Sequence, residues 1–142
     1  MNFTTNKYKV IFYEKTGCYG NKRQKELLGL SGISFETRSL LDTKWNSATL
    51  NLFFKDLEKE NIVNPFAPQI KKAQIDINSL SKDELINIMC ENPILIKRPL
   101  LEVGDEKICG FDIEKINSLL DSNICESTKI STCQSSDLCK SV

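Results

Sequence analysis

The sequence predicts an α/β fold, on three observations. A strand-like run from Tyr8 to Tyr13 leads into a helix-like segment, an alternating stretch from Ile33 to Ser39 follows it, and a broken apolar run over residues 94–109 reads as a hairpin. Two strands joined by a helix lie parallel, since a tight turn can join only antiparallel neighbours. A hairpin added to that pair makes the sheet mixed.

The first strand is β-branched and aromatic, with Val10, Ile11, Phe12 and Tyr13, which suits a packed pleated surface. After Thr16-Gly17-Cys18 comes a helix over Asn21 to Leu28, with Leu27, Leu28 and Leu30 expected on one face before Ser31-Gly32 ends it. In the second strand Ile33 and Phe35 alternate with Ser34 and Glu36. Asn46 or Ser47 caps a helix expected through about Lys59, in which Leu50, Phe53, Phe54 and Leu57 form a core stripe. Pro65 and Pro68 make Val63 to Gln74 a loop or a broken helix.

Ser81 with Glu84 three residues on has the form of a capping box, opening a helix that carries Leu85, Ile88 and Met89 and closes at Pro93. Ile94-Leu95-Ile96, Arg98-Pro99 and Leu100 to Val103 then lead through Gly104-Asp105 to Lys107–Cys109, an expected edge hairpin. Asp112 caps a last helix with Ile113, Ile116, Leu119 and Leu120. Beyond Leu120 the apolar spacing lapses, so residues 1–120 are expected to form one domain and residues 121–142 a flexible tail.

Composition excludes several function classes. Lysine plus arginine equals aspartate plus glutamate at 19 each, so no net field draws in nucleic acid or an anionic membrane. Histidine is absent, which removes imidazole as base, proton shuttle or metal ligand and leaves cysteines and carboxylates as the reactive groups. No metal site is expected. Met1 to Lys7 lacks the apolar segment of a secretory leader and no apolar run reaches the ~20 residues that span a bilayer, so a cytoplasmic protein with reduced thiols is expected.

Cys18 is the main candidate for chemistry. It stands at a strand-to-helix turn, where unpaired amides and the helix dipole favour thiolate over thiol. The structural alternative is a small inert residue filling the turn. Arg98-Pro99 is the second candidate: a proline between two apolar strand pieces marks a bulge, an edge or a cis bond, and the arginine beside it offers a planar fork to an oxyanion or to the thiolate. Its alternative is a surface arginine in a connecting turn. Asn21 stands three residues after Cys18, so there is no Cys-x-x-Cys pair. Cys90 and Cys109 read as apolar fillers. Cys125, Cys133 and Cys139 are spaced too widely for a metal knuckle; they are bystanders, a resolving thiol for Cys18, or weak ligands of a soft metal.

Together, Thr16-Gly17-Cys18 after a strand, the block Pro93-Ile94-Leu95-Ile96-Lys97-Arg98-Pro99 and the later Gly110-Phe111-Asp112 resemble the arsenate reductase (ArsC)/Spx family of thioredoxin-like folds. Phe12 to Cys18, Arg23 to Leu28 and Asn64-Pro65-Phe66-Ala67-Pro68 are similar to its nitrogenase-associated branch. The resemblance covers roughly Tyr8 to Leu120 and implies a mixed four-stranded sheet flanked by helices, a reactive Cys18, and a cis Pro99 facing it across a solvent-reachable hollow, with Gly17 in the cysteine turn. It implies Arg98 as a substrate-binding residue; Asn21 and Lys22 of the first helical turn are further candidates to bind substrate. In arsenate reductases the cysteine attacks an arsenic oxyanion, glutathione completes the adduct and glutaredoxin restores the thiol. No tightly bound cofactor is implied, only glutathione or glutaredoxin as reductant.

The chain departs from the arsenate reductase pattern in three places. Two anion-holding arginines fall at Phe66 and Gly110, and Glu14 stands where a histidine favours the thiolate. A carboxylate facing Cys18 would raise the thiol pKa, with Lys22 placed to offset it. The resulting expectation is an accessory protein of nitrogen fixation that acts by contact with a nitrogenase-related partner, with thiol redox chemistry at Cys18. The alternative is a glutaredoxin-coupled reductase of arsenate or another small oxyanion.

Overall fold

In the computed structural model, which describes residues 9–124, the strand β1 (Val10–Glu14) is covered on both faces. That is why it reads as an unbroken apolar run rather than an alternating one. The alternation reappears in where the side chains go. Ile11 and Tyr13 join a cluster with Trp45, Leu50, Phe53, Phe54, Leu85, Ile86, Met89 and Leu100, whereas Val10 and Phe12 join Leu27, Leu28, Leu101, Val103, Ile113 and Ile116. Two hydrophobic cores therefore lie on opposite faces of one sheet.

The sheet has four strands in the order β2-β1-β3-β4, with β2 at Glu36–Ser39, β3 at Leu100–Val103 and β4 at Glu106–Cys109. β1 and β2 are parallel, as the helical crossover requires, and β3 runs antiparallel to both β1 and β4. The hairpin turns at Gly104-Asp105, where Gly104 takes a φ of 62° that other residues adopt with strain. Only β4 of the hairpin is an edge; β3 is interior, consistent with its buried Leu100, Leu101 and Val103. Ile33 and Phe35 pack against the second core ahead of β2 rather than within it.

Helix α1 (Tyr19–Leu30) and α5 (Ile113–Leu120) cover one face of the sheet; α2 (Ser47–Phe54) and α4 (Lys82–Glu91) cover the other. The face α1 buries differs from expectation: Leu30 is 82% exposed, while the polar Asn21 and Gln24 are fully buried beside Leu27 and Leu28. Asn46 caps α2 through Thr49 N–H, but the helix stops at Phe54, before the end of its apolar spacing, as Lys55 becomes extended and Asp56 takes a φ of 67°. Leu57 still packs on the core from this turn. The proline-rich stretch yields one short helix, α3 (Pro68–Lys71). The capping box at Ser81 and Glu84 forms in both directions. Asp112 caps α5, and Asn117 then binds both the N–H and the carbonyl of Ile124, which is 4% exposed. Packing thus continues past Leu120 to Ile124. Cys125, Cys133 and Cys139 lie outside the described residues.

Candidate functional site

The turn that carries Cys18 is held from below by buried amides. β1 ends at Glu14; Cys18 N–H donates to the Lys15 carbonyl at 3.0 Å, and Gly17 reaches a φ of 86°. Cys18 is the N-cap residue of α1, its carbonyl accepting from Lys22 N–H at 3.0 Å, with no side-chain cap bond. Asn21 Oδ1 accepts from Lys15 N–H at 2.9 Å and Asn21 Nδ2 donates to Gln24 Oε1 at 3.0 Å. Burying such amides is costly unless they are hydrogen-bonded, and here they bond each other and the turn.

This corrects the expectation for Asn21, which is fully buried and committed to the scaffold rather than presented to a substrate. Lys22 is exposed and makes no ion pair among the described residues. The carboxylate of Glu14 pairs with Lys25 of α1, so its charge is matched there rather than left to oppose the thiol.

Arg98 approaches from the other side. β1 and β3 pair with Tyr13 opposite Leu100, two residues after Arg98, and the Arg98 cation acts on Lys15, two residues after Tyr13. The Arg98–Pro99 bond is cis. Lys15 feels both candidates: burial first and then the Arg98 cation hold its ammonium below the ordinary lysine range, while Cys18 acts in the opposite direction. Arg98 and Cys18 are thus electrostatic neighbours of one lysine, and each is only 3% exposed.

The burial of Cys18 corrects the expected open hollow. Its packing partner is the part-buried Phe66, and the pair stands apart from both main cores. A cavity of about 190 Å³ lies next to it, lined by Glu60, Val63, Asn64, Pro65, Phe66, Lys97 and Arg98 but not by Cys18. Phe66 is therefore the partition between thiol and hollow. Asn64 fixes it there: Oδ1 accepts from Phe66 N–H at 3.0 Å, Nδ2 donates to the Ile94 carbonyl at 3.2 Å, and Asn64 N–H donates to the Leu95 carbonyl at 2.8 Å. The loop is thereby pinned to the segment leading into Arg98.

Gly110, the second position without an arginine, has a φ of 90° and donates its N–H to the Pro99 carbonyl at 2.8 Å. The Lys97 side chain lies across it, with Cε 3.2 Å from where a Cβ would stand. The remaining described thiols suit no nucleophilic role. Cys109 packs against the first core and touches the Asn61 carbonyl at 3.8 Å; although part of the residue reaches the surface, burial pushes the thiol up to about 12, with Lys97 opposing. Burial, then the Glu91 charge, raises Cys90. Among the described residues there is no cluster of three or more Cys, Asp or Glu that would hold a metal ion, and no helix is long and apolar enough to cross a membrane. Sequence reasoning missed Phe66 as a cover, Asn64 as its clasp and Lys97; the only signal was the Asn64–Pro68 motif itself.

Known proteins bear on this arrangement. A protein from Rhodospirillum rubrum, described as an uncharacterized 15.7 kDa protein in the draG 3' region, is 36% identical over 126 residues, 89% of this chain and 88% of its own length. The global transcriptional regulator Spx of Streptococcus agalactiae is 23% identical over 113 residues, 78% of this chain and 82% of its own. The solved structure of arsenate reductase from Vibrio cholerae superimposes with a TM-score of 0.67 at 24% identity, covering 81% of this chain and all of that one, so the fold is thioredoxin-like. The ArsC family model matches residues 13–119, which include the cysteine turn, the Asn64 loop, Arg98-Pro99 and Gly110. The chain belongs to the ArsC family.

Proposed function

We propose that this chain is a cytoplasmic accessory protein of nitrogen fixation that works by contact with a nitrogenase-related protein through the surface around Cys18. The observation that carries the reading is Phe66. At the position where the resemblance calls for an anion-holding arginine, an aromatic ring covers the sulfur and separates it from the neighbouring hollow. A site that turns over a small oxyanion needs its nucleophile within reach of that ion, with charge placed where negative charge develops. Here two clamp positions carry no charge of their own, and any thiol chemistry at Cys18 waits on displacement of the ring. The relative in the draG 3' region supports the same direction.

Arg98 beside Cys18 favours a second reading, a glutathione- and glutaredoxin-dependent reductase of arsenate or another small oxyanion. One pair of measurements separates the two. Arsenate turnover with glutathione and glutaredoxin is expected to be no higher for the wild type than for Cys18→Ser, and purified nitrogenase-related proteins are expected to bind the full chain. Turnover that disappears in Cys18→Ser would establish the reductase and end the accessory reading.

A further inference from the structure

We propose that the outer edge of β2 is a pairing surface for the β2 of a second copy of this chain, in an antiparallel two-fold arrangement centred on Thr37. Strand β2 ends the sheet, and among the described residues no strand pairs with its outer side. Leu40 N–H continues the ladder to β1, donating to the Glu14 carbonyl at 2.7 Å, so by alternation the backbone groups of Glu36 and Arg38 also turn to β1. Those of Thr37 turn outward. Glu36, Thr37 and Arg38 are all exposed although their side chains alternate between faces, so both faces of the strand are open at this edge.

The charges select the register. Thr37 opposite Thr37 exchanges two N–H to carbonyl bonds, and it sets Glu36 opposite Arg38 on both sides of the axis, in the closer pairs whose Cα atoms stand about 4.5 Å apart. Within one chain Glu36 and Arg38 already pair, and Lys9 lies 3.4 Å from Glu36 as a second cation. Two copies thus form a square in which each charge has its opposite both beside it and across from it. Slipping the partner by two residues keeps the hydrogen-bond phase but sets Arg38 opposite Arg38, or Glu36 opposite Glu36, where like charges repel. A one-residue slip faces outward groups with inward ones. Charge on an edge strand usually keeps partners off, and a run of one sign would do so in every register. The order Glu36-Thr37-Arg38 does so in every register but one. The Ser39 carbonyl is taken by the Thr43 hydroxyl at 2.7 Å, which ends the edge. Because the contact is two-fold it closes on itself, joining two sheets into one without starting a fibre.

The test is sedimentation equilibrium of the full chain with its thiols kept reduced. So short an edge makes an interface below the ~1,200 Å² of stable complexes, so a reversible dimer is expected at high micromolar concentration. Glu36→Arg or Arg38→Glu alone is expected to raise the dissociation constant at least about tenfold, because both pairs across the axis become like-charged. Mixed in equal amounts, the two variants are expected to associate at least as tightly as wild type, since every cation again faces a carboxylate; a misfolded variant would not be rescued. Glu36→Arg with Arg38→Glu in one chain leaves the net charge unchanged and should dimerise like wild type, which separates the local pairs from long-range attraction. Thr37→Pro deletes an N–H that makes no bond to β1, and is expected to keep the fold and abolish the dimer. A dimer unaffected by Thr37→Pro, or single variants that stay apart when mixed, would overturn the proposal. So would a wild type still monomeric at about 1 mM, which leaves the edge to a strand of another protein or to none.

Discussion

Phe66→Ala is the perturbation that most directly probes the covered thiol. A phenylalanine carries about 200 Å² of side-chain surface, and swinging the part-buried Phe66 ring off Cys18 and the cavity wall would newly expose about half of that. At ~25 cal/mol per Å², lifting the ring costs about 2.5 kcal/mol, a factor of about 70 in the population of open molecules. Cys18 in the wild type is alkylated only through that open fraction. Phe66→Ala is therefore expected to speed Cys18 alkylation by iodoacetamide between about tenfold and about 70-fold, the lower end applying if the loop settles inward. Peptide mapping by mass spectrometry resolves the rate at Cys18 from those at the other cysteines. Cys109 acts as an internal control, because its thiol owes its high pKa to burial elsewhere. A Cys18 rate within twofold of wild type would refute the cover and locate the barrier in the turn itself.

Three further outcomes follow from named contacts. Gly110→Ala should lower stability by about 1–2 kcal/mol in urea unfolding, since a φ of 90° strains any other residue and its Cβ would press on Lys97 Cε. Asn21→Ala should cost about 2 kcal/mol by orphaning the part-buried Lys15 N–H and removing one partner of the buried Gln24; full stability would refute the buried amide pair. Cys109 gives a pH signature. Its folded thiol, raised from 9.0 to about 12, holds its proton when the unfolded thiol has lost it, so the folded state binds more protons in that window and stability falls as pH rises. Relative to Cys109→Ala, the wild type should lose about 2 kcal/mol between pH 7 and about pH 10.5, measured by urea unfolding; parallel pH profiles would refute the buried thiol.

The sheet was legible because each strand advertises its surroundings. Val10 to Tyr13 is apolar throughout because both faces are covered, and the Gly104-Asp105 turn can only close a hairpin. The turn at Cys18 was legible for the same reason, as a change of period from strand to helix with glycine between. What was not legible depends on contacts distant in sequence. Spacing placed Asn21 near the thiol but could not say that its amide would be spent on Lys15 N–H and Gln24, nor that Leu30 would face water. Phe66 lies 48 positions from Cys18, and only its clasp by Asn64 to the carbonyls of Ile94 and Leu95 brings it over the sulfur. Helix α2 stopped short because the left-handed Asp56 overrode an apolar period that continues to Leu57.

Of the three departures from the arsenate reductase pattern, two concern the anion-holding positions, Phe66 and Gly110. Phe66 brings no charge to the loop that packs on Cys18, and Gly110 brings none after the hairpin but leaves a path that the Lys97 side chain crosses. An arginine at 110 alone would meet both the Lys97 side chain and a backbone conformation that strains any Cβ, so Lys97 would have to move to admit it. An arginine at 66 alone would remove the ring that packs on Cys18 but stand in the wall of a hollow that Glu60 also lines. Neither single change rebuilds a three-cation cup around the thiol. The sheet, the cysteine turn and the cis bond before Pro99 are common ground with that pattern, whereas the ring over the sulfur is not, and it is the ring that has to move before the thiol meets an oxyanion.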